Sequence, residues 1–263
     1  MSERTVLLKR AIGGVWRAFP SIGPRRLILL YHAVGDGEWA IPENEFARQI
    51  EWIAKSARPL SLVQALGTDI EKPLEIAVTF DDGYASVFER AKPILKTHAV
   101  SATVFVNTAL VGSEDRTPSD PSLGHYPGEA FLLWRELDAL LDLGWVLGSH
   151  GEHHLAHWRE GDLVVRHELA ESKKKLEAIT PGPCNYFAYT WGRHTEHLRK
   201  LVADAGYRWG LAGLHGAVRA GSDPYAVPRI NIDRTYSFDD FMAILRGDFD
   251  YLRFIQSWRG ARS

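Results

Sequence analysis

The sequence predicts an α/β fold built on one parallel sheet, and three observations carry that expectation. Short apolar, β-rich runs alternate with amphipathic helical patterns along the chain. Four of the runs end in residues suited to hydrolytic chemistry: LILLYH on His32, LEIAVTFDDG on Asp81 and Asp82, WVLGSHGEHH on His150 and His154, and NYFAYTWG on Trp191 and Gly192. In barrels of parallel strands such groups collect at the C-terminal strand ends, so separate strands deliver them to one rim. No Pro/Gly/Ser linker, repeat or low-complexity segment divides the 263 residues, which argues for a single domain.

The strand-like runs fall at 27–31, 75–80, 101–106, 145–149, 185–189, 207–211 and 227–232. Helical spacing is expected over 43–57, 84–97, 130–142, 160–179, 194–205, 237–246 and 248–257, with Pro93 bending or breaking the second of these. Residues 112–129 form the one long irregular stretch, a candidate substrate loop or lid. At 45% hydrophobic and 24% charged residues the composition suits a packed core. With 31 basic against 33 acidic residues the net charge is -2, which disfavours nucleic acid as a partner. The single Cys184 excludes a disulfide scaffold and a cysteine metal site.

Residues 1–26 read as a basic amphipathic segment ahead of a catalytic domain over 27–263. They lack the apolar core and cleavage site of a secretory leader, and no run reaches the ~18 apolar residues of a membrane span. Leu8, Ile12, Val15 and Phe19 recur at helical spacing beside Trp16, with Lys9, Arg10, Arg17, Arg25 and Arg26 nearby. Such a stripe either packs on the domain or makes peripheral contact with an anionic membrane through residues 5–26. The expected location is therefore cytoplasmic, with the inner membrane face as a variant.

Asp81-Asp82-Gly83 places two carboxylates at one strand end, where they repel unless a cation or a proton separates them. A metal on one and a proton-accepting role for the other resolves the conflict; a plain turn or helix cap is the alternative use of Asp-Asp-Gly. His150 and His154 are four apart, and one helical turn would turn both imidazoles to one face. With Asp82 they make a two-histidine, one-carboxylate set that leaves positions open for water and a substrate oxygen. The segment is not the HExxH zinc-protease pattern, since Gly151 holds its second position.

TFDDGY at 79–84, GSHGEHH at 148–154 and FAYTWG at 187–192, in this order, resemble the polysaccharide deacetylases (NodB homology, carbohydrate esterase family 4) over roughly residues 27–232. The resemblance implies a distorted (β/α)7 barrel. It also implies Zn2+ or a similar ion (Co2+, Ni2+ or Mn2+) on Asp82, His150 and His154, with Asp81 as general base for hydrolysis of an N-acetyl group on an amino sugar. The third motif lacks the family's usual arginine and proline and looks more like the FAYPYG variant of enzymes acting on poly-N-acetylglucosamine. No downstream Leu-any-His motif supplies the acid, and His215 in GLHG is a poor match. In that same subgroup an N-terminal Tyr-His takes the role, which Tyr31-His32 matches, so His32 is the expected acid, with His215 or His157 next. Arg229 resembles a strand-end arginine that pairs with Asp81 and holds it ionised. A backbone N–H at Trp191 is assigned to the oxyanion. Tyr84, Tyr189 and Trp158 are expected to bind the N-acetylated saccharide, with Trp191, Trp134 and Tyr126 as further stacking rings. Another amide hydrolase, such as a deformylase or ring-opening amidohydrolase, and a non-catalytic saccharide-binding module remain as rivals. Sugar identity, linkage and oligomeric state are not specified by these patterns.

Overall fold

The computed structural model describes residues 3–16, 23–67 and 69–260. In chain order the strands are β1 (Arg25–Tyr31), β2 (Arg58–Leu60), β3 (Leu74–Phe80), β4 (Ala102–Val106), β5 (Val146–Ser149), β6 (Tyr186–Ala188), β7 (Trp209–Leu211) and β8 (Ile230–Asn231). They form one parallel sheet in the order β7-β6-β5-β4-β3-β1-β8. The unanticipated β2 pairs with residues 75–77 of β3, on the stretch that β4 leaves open. Val227 bridges to Leu211 on β7 while Ile230 pairs with Leu29 on β1, so a single segment ties the two sheet edges together. A distorted barrel of seven strands results.

Alternation along the strands sorts side chains between two cores. Leu29, Tyr31, Val78, Phe80, Val104 and Leu147 face outward into the main core. Over them lie the helices α2 (Glu43–Ser56), α5 (Trp134–Asp142), α6 (Asp162–Glu177), α7 (Glu196–Asp204) and α8 (Phe238–Arg246). Ile28, Ala77, Phe105, Ala188, Leu211 and Val227 face inward and plug the barrel. Gly148 is required there, because a Cβ would meet the Phe105 ring at 2.4 Å. Below the plug, Glu75 accepts from Arg26 (2.8 and 2.6 Å) and Arg58 (3.1 Å), with both members of the Arg26–Glu75 pair buried.

The remaining helices are α1 (Glu3–Trp16), α3 (Leu62–Gly67), α4 (Lys92–Thr97) and α9 (Leu252–Gly260). The helix expected over 84–97 is split into a π turn (Val87–Ala91) and α4, with Pro93 in the first turn of α4, where its missing N–H costs nothing. In α1, Lys9 donates to the Tyr236 hydroxyl and Arg10 pairs with Asp240, so these cations face the protein's own body. Those contacts favour packing as the use of this segment; Arg17 and Phe19 lie outside the described residues.

Glu75→Ala leaves Arg26 buried without its carboxylate and is expected to lower unfolding stability by about 3–5 kcal/mol in a urea titration. A loss below about 1 kcal/mol, as for an exposed pair, would show that water screens this layer.

Candidate active site

Strand register sets the site. Tyr31 pairs with Phe80, Phe80 with Val104, Val106 with Ser149 and Ser149 with Phe187, so the residues that follow these strands share one rim. Asp81, Asp82, His150, His154 and Arg229 are all buried there. Arg229 is fully buried and makes a two-pronged pair with Asp81, Nη1 to Oδ1 and Nη2 to Oδ2, each 2.7 Å. Its guanidinium also lies 5.3 Å from the centre of the Phe105 ring.

Asp82 turns the other way. Its Oδ1 lies 3.3 Å from His150 Nε2 and 3.4 Å from His154 Nε2. His150 Nδ1 faces the Ala188 carbonyl at 2.8 Å and His154 Nδ1 the Leu123 carbonyl at 3.3 Å. Carbonyls only accept, so each Nδ1 carries the proton and each neutral Nε2 aims a lone pair at a carboxylate oxygen. Such an arrangement repels itself unless a cation or proton sits between. Ligand bonds of ~2.0–2.1 Å at tetrahedral angles separate donor atoms by ~3.3 Å, which the two separations from Asp82 Oδ1 match. They fit a zinc-type ion.

The charges agree. Burial would raise the Asp82 carboxyl, but His150, His154 and His32 hold it far below the usual range. Burial disfavours the His150 cation, yet Asp81 and Asp82 outweigh it and raise this imidazole, whereas burial pushes His154 down to about 4.

The backbone is strained where the ligands sit. Of the four non-glycine residues with positive φ among those described, three are Asp82 (68°), His154 (56°) and Trp191 (54°). Gly83 follows Asp82 at φ 77°, and a Cβ there would meet Val106 at 2.8 Å. The expected helical turn from His150 to His154 is absent, because Gly151 (φ 89°) and His154 itself break it. A loop, not a helix face, converges the imidazoles. Glu168 on α6 holds that loop, accepting from the Glu152 and His153 N–H groups (2.7 and 3.0 Å) and facing His153 Nδ1 at 2.7 Å. Burial alone would raise Glu168, but His157, His153 and these N–H groups bring it to about 2.

The other predicted residues fall into two groups. His32 follows β1 at the rim, half-buried and stacked on Tyr126 at 5.2 Å. Trp191 is half-exposed, 4.3 Å from the His154 ring and 5.3 Å from Trp158, and the two indoles line an open cleft. Tyr84 and Tyr189, by contrast, are fully buried. The Tyr84 hydroxyl accepts from the Tyr126 N–H at 2.7 Å and the Tyr189 hydroxyl donates to the Tyr225 carbonyl at 2.9 Å. Neither presents a ring to a sugar, because the outward side of each strand end is covered by helices or by the 112–129 loop; they support the rim instead. Trp134 starts α5 and packs on the main core. His215 is buried against Asp250, which also holds Arg25 at the opposite end of β1, and His157 is enclosed between Thr190 and Glu168. Neither fallback acid faces the rim.

Glu168 and His125 are contributors that went unnoticed in the sequence. Glu168 and Ser172 interrupt the buried stripe Val165–Leu169–Leu176 of α6, a legible sign of an inward polar role. His125 belongs to the 112–129 loop, which roofs the site. Its Nδ1 accepts the Asp120 N–H at 3.1 Å, so its Nε2 carries the proton; that Nε2 is buried without a partner, and the ring lies 5.1 Å from His154. It is a donor held ready beside the ligand set.

Residues 70–210 match the polysaccharide deacetylase family. Poly-beta-1,6-N-acetyl-D-glucosamine N-deacetylase of Staphylococcus aureus is 25% identical over 207 residues, covering 74% of this chain and 68% of that protein. YxkH of Bacillus subtilis is 26% identical over 224 residues, 83% of this chain and 75% of that one. Two solved structures share the fold at 21% identity. The Streptococcus pyogenes deacetylase PplD has a TM-score of 0.71 over 85% of this chain and 99% of its own. IcaB from Ammonifex degensii has 0.71 over 88% and 98%.

About one divalent ion per chain is expected in protein supplied with zinc, lost in Asp82→Ala and His154→Ala, as read by elemental analysis. Because the ligand His150 must shed its proton and its affinity for that proton is raised, metal affinity should strengthen as pH rises through and above the ordinary imidazole range. Affinity independent of pH would contradict this ligand set.

Proposed function

The chain belongs to the polysaccharide deacetylase family, and from that membership we propose that it is a metal-dependent hydrolase that removes the N-acetyl group from an amino sugar, releasing acetate. The substrate in this reading is a surface glycan or its lipid-linked precursor. The observation that carries the reading is the division of the two adjacent carboxylates: Asp82 completes a ligand set with His150 and His154, while Asp81 is held apart by Arg229. Zinc is the proposed ion, on the match between donor spacing and its preferred geometry. Such an ion supplies Lewis acidity and lowers the pKa of a water in the site.

The chain's own residues then divide the proton work. Asp81 accepts the proton from the attacking water. Its two oxygens each accept one N–H from Arg229 and keep a free lone pair, so the pair orients the base without blocking it. His32 gives a proton to the departing amine, which cannot leave as an anion. The Trp191 N–H and the Nε2–H of His125 are the donors for the developing oxyanion. A Cβ on Gly192 would lie 2.4 Å from Gly213, so two glycines let the chains cross closely enough to hold the Trp191 turn.

Acetate release from N-acetylated oligosaccharides should fall by roughly 10²–10⁴ in His32→Ala and in Asp81→Asn, with metal content unchanged. Full activity in His32→Ala would remove this acid, and formate release without acetate would replace the deacetylase by a deformylase.

A further inference from the structure

Beside the ligand cluster the rim opens into a cleft of about 460 Å³ lined by Ala156, Trp158, Arg159, Trp191 and Arg193. It shares the Trp191 wall with His154, so an occupant lies one ring away from the ligand cluster. Two indoles at 81° to one another offer apolar faces suited to a pyranose ring. Both arginines sit near the Trp158 ring, Arg193 at 5.4 Å and Arg159 at 5.8 Å, and neither pairs with a carboxylate among the described residues. A guanidinium against an indole keeps its N–H edge turned outward, a shape that matches a carboxylate or phosphate.

Two unpaired cations are costly company for a fully deacetylated glycan. Removal of an acetyl group leaves an ammonium, and in a homopolymer of amino sugars each neighbouring product unit would bring its positive charge to these arginines. An anionic neighbour reverses that sign. We propose that this cleft is a subsite for an anionic oxygen group, carboxylate or phosphate, carried next to the N-acetyl sugar, so that the substrate is an acidic saccharide. This rests on the deacetylase reading for its chemistry, while the cleft can be tested separately.

Three probes decide it: neutral N,N′-diacetylchitobiose, the disaccharide of glucuronic acid and N-acetylglucosamine, and N-acetylglucosamine 1-phosphate. With zinc-loaded protein at low salt, kcat/KM for an anionic probe should exceed that for chitobiose by about tenfold, the combined size of two exposed ion pairs, and the excess should shrink in high salt. Arg159→Gln/Arg193→Gln should abolish the preference while leaving chitobiose within about twofold. Preference for one anionic probe assigns carboxylate or phosphate as the natural group. Equal cleavage of all three, or an equal loss on all three in the double variant, overturns the subsite. If no probe releases acetate, the deacetylase reading fails. Calorimetry on Asp81→Asn then still reads the cleft: arginine-dependent binding of an anionic probe supports it, and its absence overturns it.

Discussion

Giving two adjacent buried carboxylates separate partners is the constraint on which the rest of the rim depends. Successive residues of a strand point to opposite faces, so Asp81 continues the inward column of Glu75, Ala77 and Thr79 and reaches Arg229 directly. Asp82 in ordinary β geometry would face the helices. Its positive φ brings the second carboxylate back to the rim. Such a conformation costs about 1–3 kcal/mol, and Asp tolerates it better than most residues because its short polar side chain can bond locally. Each carboxylate then has its own partners, and neither competes for the other's.

Excluding water from a barrel strengthens the attraction within a charged pair, but at a desolvation cost that only close, two-pronged geometry offsets. The plug supplies that exclusion. Phe105 lies across Gly148 and beneath the Arg229 guanidinium, with Ile28, Ala77 and Leu211 around it. Charge therefore occupies two layers, Arg26–Glu75 below and Arg229–Asp81 above, with hydrocarbon between. A slip of one residue in β3 would expel both carboxylates from the interior at once, so the same pairs that prepare the base also define strand register.

Periodicity exposed the strands and most helices because apolar burial on one face is what periodicity records. The three-residue β2 and six-residue α3 escaped, being too short to repeat a pattern. Asp81, Asp82, His150 and His154 were legible as a cluster, since a strand-end motif places backbone and side chain together. Their route to one another was not: His150 and His154 meet through a loop with left-handed residues, a conformation that spacing alone does not encode. Tyr84 and Tyr189 were misjudged for a related reason. Aromatic identity gives ring chemistry, while the covering loop and helices decide which side of the ring meets solvent.

The backbone also decides what each histidine does. At His150 and His154 a carbonyl takes the Nδ1 proton and leaves Nε2 a lone pair, the state that a ligand needs. At His125 the relation is inverted: a backbone N–H occupies Nδ1, so Nε2 must carry hydrogen and cannot ligate while neutral. Three imidazoles of one composition, packed as neighbours, thus become two acceptors and one donor. Leu123 and Asp120, which fix the His154 and His125 assignments, both lie in the long 112–129 loop. That loop contributes no ligand of its own, yet its seating orients one ligand and one donor together. Displacing it would remove the carbonyl that orients His154 and the N–H that sets the His125 tautomer together.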